Sequence, residues 1–208
     1  MIRVLCWLGL FVSFAAWAEM PDPLQLLQYM RQNGSSQFAY TETRQLELAA
    51  SPWLGQGYML SDAEGSLVKL QLNPGRIVMA IAHDQMYYWD AQQQQRHAAP
   101  LTDANVSASQ IKLFRAILQG DSEQLQSLYN LSSEQQGTHW ILRLTPKSDH
   151  SGDEIPSFEI SGDTDNQLRR IMIRQADGEY TEYRLRHTHT EQEPVFDLQS
   201  LLREAVGD

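Results

Sequence analysis

The sequence predicts a mainly β chain with helices, an α+β fold in which a curved antiparallel open half-barrel is covered by a helical lid. Three observations lead there. Apolar residues recur with period two in short runs bounded by turn residues, as half-buried strands require. The turns are tight, which makes neighbouring strands antiparallel, because parallel strands need crossovers of a dozen residues or more. Roughly ten such strands exceed what a small flat sheet holds without curling, and an apolar helical hairpin interrupts them midway.

The elements follow in order. Met1–Ala18 has the pattern of a cleaved secretory signal peptide: Arg3 as the positive n-region, an apolar run from Val4 to Phe14, and Ala16-Trp17-Ala18 at the peptidase site. The run is shorter than the ~20 residues a membrane span needs. Cleavage leaves Glu19 at the new N-terminus and removes Cys6, the only cysteine, so residues 19–208 form one exported domain held together by its core. Losing Arg3 takes the charged side chains from 16 basic and 26 acidic to 15 and 26, and the formal charge from −10 to −11. A chain this acidic repels phosphate backbones and anionic membranes, which excludes nucleic acid as a partner and suits a soluble, freely diffusing monomer.

Asp22, Pro23 and Gln25 form a helix start, Leu24, Leu26, Leu27 and Met30 an apolar face, and Gly34 a stop. From Phe38 the period becomes two: Phe38, Tyr40, Leu46 and Leu48 share one face, Thr41, Thr43, Gln45 and Glu47 the other. Further strands are expected at Gln56–Ser61, Ser66–Asn73, Arg76–Ala82, Met86–Asp90 and Gln93–Ala98, joined by turns at Asp62–Gly65, Asn73–Gly75 and His83–Gln85. The Gln92–Gln95 patch reads as a solvated strand or turn. Val106–Tyr129 is the helical hairpin: Ser107 and Gln110 make a capping box, Ile111, Leu113, Phe114, Ile117 and Leu118 a broad apolar surface, Gly120 a break, and Asp121 a second cap. Strands resume at Thr138–Pro146, Ser157–Ser161, Gln167–Gln175 and Glu179–Thr188, with Asp177-Gly178 a hairpin signal. Leu198, Leu201, Leu202 and Ala205 suggest a short terminal helix.

Catalytic patterns are missing. No G-x-S-x-G elbow, serine–lysine motif or glycine-rich phosphate loop occurs, so neither an enzyme nor a cofactor is expected. His187-Thr188-His189 with Glu191 offers three ligands on one strand face but no second cluster, and reads as a solvated strand without a metal. Asp163-Thr164-Asp165 starts like a calcium loop, yet Leu168 and Arg174 occupy the positions of the required glycine and glutamate.

What remains is an apolar surplus. A barrel filled by its own side chains does not need a greasy hairpin across its mouth, whereas an open one does, and ligand sites favour such mouths. The expected cavity and lid for an apolar ligand comprise Phe38, Tyr40, Leu60, Leu70, Leu72, Met79, Ile81, Ile111, Phe114, Leu118, Trp140 and Leu142.

The layout resembles a known family. The run Phe38-Ala39-Tyr40-Thr41-Glu42-Thr43-Arg44, then Gly55-Gln56-Gly57-Tyr58-Met59-Leu60, the Pro74 turn and His83-Asp84-Gln85-Met86-Tyr87-Tyr88-Trp89 are similar to the outer-membrane lipoprotein carriers, the LolA-like proteins of Gram-negative bacteria. Ile111–Asp121 and Trp140–Pro146 resemble a divergent branch of that family. The resemblance implies a periplasmic, non-catalytic chaperone with an open half-barrel. It would take lipoprotein acyl chains or another lipid from an inner-membrane ABC transporter or other exporter to an outer-membrane receptor. Related half-barrels instead sense lipoproteins and act through an inner-membrane partner, the alternative reading. One departure stands out: Ser61–Leu67 lacks the arginine that latches the lid in the best-studied carriers, and Arg44 and Arg76 are the candidate substitutes.

Overall fold

The chain folds in the order α1 (Pro23–Met30), β1 (Ser36–Gln45), β2 (Trp53–Ser61), β3 (Leu67–Asn73), β4 (Ile77–Ala82), β5 (Gln85–Asp90) and β6 (Gln95–Pro100). Two helices follow, α2 (described over residues 115–119, with 113 also helical) and α3 (Ser122–Leu128). Then come β7 (Tyr129–Gln136), β8 (His139–Pro146), β9 (Ser157–Asp163), β10 (Leu168–Arg174), β11 (Tyr180–His187) and α4 (Leu198–Val206). The structure, a computed structural model, describes residues 22–30, 34–101, 113, 115–147, 155–163, 168–188 and 193–207. The signal-peptide pattern at Met1–Ala18 and the lid residues Ile111 and Phe114 lie outside them.

All eleven strands join one sheet in the order β6-β5-β4-β3-β2-β1-β11-β10-β9-β8-β7. It consists of two meanders. β1 to β6 runs from the centre to one edge, and β7 to β11 returns from the other edge. The halves meet where β1 pairs antiparallel with β11, from Phe38 opposite His187 to Gln45 opposite Tyr180. β6 and β7 remain separate edges, so the sheet is open rather than a closed barrel, in the antiparallel, partly helical architecture expected from the sequence.

Aspartates set many of the boundaries because their short carboxylates accept nearby backbone N–H groups. Asp22 accepts from Leu24 at 3.0 Å, Asp121 from Gln124 at 3.1 Å and Asp197 from Ser200 at 2.9 Å, starting α1, α3 and α4. Asp90 accepts from Gln92 at 2.8 Å and Gln93 at 3.0 Å, so the glutamine-rich patch is a turn whose last residue, Gln95, opens β6. At Gly57 a Cβ would lie 1.9 Å from the Leu70 carbonyl oxygen, where the β2–β3 register shifts. Only glycine fits that bulge.

Two expectations need correction. β7 was not foreseen: Tyr129 belongs to it rather than to the helical hairpin, and donates its buried hydroxyl to the Pro156 carbonyl at 2.9 Å. Apart from Leu131 the rest of the strand is polar (Asn130, Ser132, Ser133, Glu134, Gln135, Gln136), which an edge strand tolerates. β1 also ends earlier than the apolar alternation implied. Ala49 bonds back to Leu46 at 3.1 Å, leaving Leu46 45% and Leu48 97% exposed.

The two faces of the sheet are covered differently. On one, α1, α2 and α3 form a roof: Leu26, Leu27, Met30, Ala116, Ile117 and Leu125 pack on Phe38, Tyr40, Met59, Trp140, Leu142, Ile160 and Leu185. On the other, α4 places Leu201, Leu202 and Ala205 against Leu60, Val68, Leu70, Val78 and Ala80. Beyond α4 that second face carries a cross-strand ion ladder, Glu134–Arg143–Glu159–Arg170–Glu182–Arg184, which keeps β7 to β11 wetted there. α4 is also pinned from outside. Arg76 grips Glu204 with two bonds at 3.1 and 2.6 Å, while Arg96 donates to the Ala205 and Glu204 carbonyls, both at 3.1 Å, and stacks on Trp89. Leu201→Ala and Leu202→Ala should each lower stability by about 2–4 kcal/mol, as emptied core positions do. Arg76→Ala, which breaks a solvated pair, should cost less than about 1 kcal/mol. Urea midpoints check both, and a larger loss for Arg76→Ala would refute this ranking.

Candidate functional site

The site begins at the β2–β3 turn. Asp62 accepts from the backbone of Glu64 at 3.0 Å and Ser66 at 2.8 Å, fixing the turn, and Gly65 adopts φ +85°. The roof comes down on that turn. Gln119 of α2 donates its amide to the Gly65 carbonyl at 3.3 Å, and a Cβ at Gly65 would lie 2.6 Å from the same nitrogen. Arg115 reaches toward the exposed Asp84 at 3.9 Å. Between turn and roof lies an open cleft of about 610 Å³, with Asp62, Glu64, Asp121 and Glu123 at its rim.

Ser61, Leu67 and Leu118 line this cleft and also a second, separate space of about 20 Å³ bordered by Phe38, Met59, Leu60, Leu185 and Arg169. Arg169 is 4% exposed and its guanidinium lies 5.9 Å from the Phe38 ring centre. Burial lowers its pKa to about 10 against an opposing effect of Tyr29.

Further along the roof face sits a buried charge cluster. Glu42 of β1 accepts from Arg44 at 2.5 Å, from the Tyr183 hydroxyl of β11 at 2.9 Å, and from Lys69 of β3. Burial by itself would raise the Glu42 pKa, but the attraction and hydrogen bonds of Lys69 and then Arg44 prevail and hold it below the usual carboxylate value. Desolvation draws Lys69 below the usual lysine value despite Glu42. Arg44 stacks on Trp53 at 4.7 Å, so it is committed to the sheet, and Arg76 is committed to α4 on the other face. Neither bonds to the roof among the described residues. The observed roof contacts to the turn side come from the helix, through Gln119 and Arg115.

The expected cavity residues divide between the faces. Phe38 and Leu118 border the second space, and Tyr40, Trp140 and Leu142 lie in the roof-side core. Met79 and Ile81 share that face by register, opposite Lys69 and Leu67 respectively. Leu60, Leu70 and Leu72 do not. Leu60 borders the second space but packs, like Leu70, in the α4 cluster, and Leu72 is 38% exposed. Successive strand residues point to opposite faces, and both faces of β2 to β4 are apolar, so apolarity alone could not separate them. His187 packs edge-on against Phe38 at 4.7 Å, while His189 and Glu191 lie outside the described residues. Sequence reading missed Arg169 and Glu42. A signal existed, since Arg169 occupies the apolar register of Ile171 and Ile173, and Glu42 that of Phe38 and Tyr40.

An open antiparallel sheet whose apolar face is roofed by helices, with a cleft leading under the roof, has the form of a non-barrel container. The sequence model of the family described as outer membrane lipoprotein carrier protein LolA-like matches residues 15–201, and the chain belongs to this family. Solved structures similar to it include an outer membrane lipoprotein-sorting protein domain from Vibrio parahaemolyticus, at 8% identity, covering 89% of this chain and 97% of that one, with a TM-score of 0.46. A LolA superfamily protein from Nitrosomonas europaea is 12% identical, with 84% and 94% covered and a TM-score of 0.40. A DUF1329 family protein from Desulfovibrio piger is 9% identical, with 86% and 96% covered and a TM-score of 0.40. Comparison with curated proteins finds no match.

Glu42→Gln should destabilise by about 3 kcal/mol near neutral pH, because it strands the buried Lys69 beside an uncharged amide. A depressed folded-state pKa confers stability that is complete above the unfolded value of ~4.3 and disappears as pH falls through the folded value. The fall of the urea midpoint below about pH 4 should therefore be shallower in Glu42→Gln, and an unchanged slope would contradict it. The Tyr40 hydroxyl is buried without a hydrogen-bond partner among the described residues, so Tyr40→Phe should hold or raise stability by about 1 kcal/mol. A loss of that size in the same urea titration would contradict the assignment.

Proposed function

We propose that this chain is a periplasmic carrier that shields the acyl chains of a lipoprotein or other lipid under the roof and moves them from the inner to the outer membrane. On this reading it is exported by the Met1–Ala18 signal, loaded by an inner-membrane exporter and unloaded by an outer-membrane receptor, with no covalent chemistry. Membership of the LolA-like family supports this. The observation that carries it is the open cleft between the roof and the β2–β3 turn, which shares Ser61, Leu67 and Leu118 with a small space on Phe38 and Met59 of the sheet.

The physical need is clear. Each exposed methylene costs about 0.8 kcal/mol in water, so an acyl chain crosses an aqueous gap only inside a protein. Release is equally necessary. Among the described residues the roof meets the turn side through one neutral hydrogen bond, Gln119 to Gly65, and one 3.9 Å ion pair, Arg115 to Asp84, whose acid is largely exposed. Contacts of those kinds are worth about 1 kcal/mol or less each, so polar contacts add little to what holds this edge shut.

The test is gentle purification of the mature chain, residues 19–208, followed by mass spectrometry for co-purified lipid and titration with a fluorescent acyl probe. Leu118→Asp should lower probe affinity at least about tenfold by placing a charge on that shared lining, with the far-ultraviolet spectrum unchanged. Equal affinity in that variant, or a wild type that neither retains lipid nor takes up the probe, would overturn the reading.

A further inference from the structure

The roof-side core buries two polar atoms that the fold does not use. The Tyr40 hydroxyl of β1 and the Trp140 indole nitrogen of β8 have no hydrogen-bond partner among the described residues, although these side chains belong to residues only 3% and 1% exposed. Other buried tyrosines of the same core are provided for: Tyr129 donates to the Pro156 carbonyl and Tyr183 to Glu42. Leaving a buried donor unmet costs more than an ordinary hydrogen bond returns, so two such donors call for an explanation.

Their placement supplies one. The strand register puts both in a single row across the sheet. Trp140 stands opposite Gly162, Gly162 opposite Arg169, Arg169 opposite Leu185, Leu185 opposite Tyr40, and Tyr40 opposite Gly57. Each donor therefore has a glycine beside it on one neighbouring strand, a position that adds no side chain next to the ring. Leu185, adjacent to Tyr40 in the row, and Phe38, two residues before Tyr40 on the same face of β1, border the small space that Leu118 also lines.

We propose that this row receives the carbonyl oxygens of acyl linkages, esters or amides, with Tyr40 and Trp140 each donating one hydrogen bond. The proposal rests on the carrier reading and adds which part of the cargo is held under the roof: the linkage that joins chain to head group, along with the hydrocarbon. An indole N–H only donates, so its partner must be an acceptor. Burial, and then the charge of Glu42, hold the Tyr40 pKa above the usual tyrosine value, so its hydroxyl keeps its proton and donates too. Both donors are neutral, which suits a neutral acceptor. In an acyl lipid the neutral acceptors nearest the hydrocarbon are its ester or amide carbonyls.

The balance of hydrogen bonds favours loading. The empty protein carries both donors unmet, whereas a bound linkage satisfies them in a low-dielectric interior, where hydrogen bonds are strong. A lipid that displaces Leu118 and widens the small space would meet Tyr40 first and then follow the row toward Trp140. The donors lie four strand intervals apart in the sheet order, with strands ~4.8 Å apart, so they meet different linkages rather than sharing one carbonyl.

The experiment compares dioctanoylglycerol with its diether analogue, dioctylglycerol, as competitors of a fluorescent acyl probe bound to the mature chain. The diether is the more apolar of the two, so transfer out of water alone favours it, and a preference for the diester reports hydrogen bonding. The diester should compete at least about tenfold better. Tyr40→Phe, which deletes one hydroxyl and keeps the ring, should reduce that preference at least about threefold while leaving the diether affinity unchanged. Trp140 is read in the wild type by proton–nitrogen NMR, with Trp53→Phe and Trp89→Phe assigning the other indole signals. Its N–H resonance should move downfield with the diester and not with the diether. Equal competition by diester and diether would overturn the carbonyl row while leaving the carrier intact. A preference kept in full by Tyr40→Phe would overturn the role of Tyr40, and an indole signal indifferent to the diester that of Trp140. A protein that binds neither the probe nor either glycerolipid would remove the carrier reading as well.

Discussion

The pairing of β1 with β11 is the constraint on which the rest of this structure depends. Each half of the sheet is a meander of local hairpins, and those form between close neighbours in sequence. The halves become one surface only when residues 36–45 meet residues 180–187. That junction bears the side chains that define the roof face: Phe38, Tyr40 and Glu42 from one strand, Tyr183 and Leu185 from the other. The Tyr183 hydroxyl bond to Glu42 crosses the junction directly, and Lys69 reaches it from β3, so the buried charge cluster spans β11, β1 and β3. Joining segments so distant closes a long loop before any contact rewards it, which makes this a slow topology to fold.

How the faces are covered explains why some elements were legible in the sequence and others were not. Period-two alternation and turn aspartates located ten strands, since both signals are local and depend on burial of one face. β7 escaped because an edge strand needs little apolar content, and its residues from Asn130 to Gln136 are those of a loop; the left-handed Gly137 that follows was the available hint. The α4 face was harder still. β2 to β4 are buried on both sides, so Leu60 and Leu70 looked equivalent to Met59 and Met79. Only the position of a helix some hundred and thirty residues further along distinguishes them.

The site divides along the same lines. Phe38 and Leu118 were recognisable because large apolar residues at regular spacing mark covered surface. The turn that forms the rim, Asp62 to Ser66, looked like an ordinary connection, and nothing local says that α2 descends on it. Arg169 and Glu42 interrupt apolar registers, an anomaly visible in the sequence whose meaning needed the sheet: Glu42 is met by Lys69, Arg44 and Tyr183, and Arg169 is buried beside the Phe38 ring.

The two free edges have a mechanical consequence. A closed barrel has a circumference fixed by its strand number and stagger, so enlarging its interior means breaking a ladder. Here β6 and β7 are not joined, and the sheet can flatten or tighten through small changes of twist spread over ten strand interfaces, with every ladder bond kept. Its capacity is elastic. On the proposed carrier reading, that compliance would let one sheet adapt to acyl chains of different length, which a rigid cup would not.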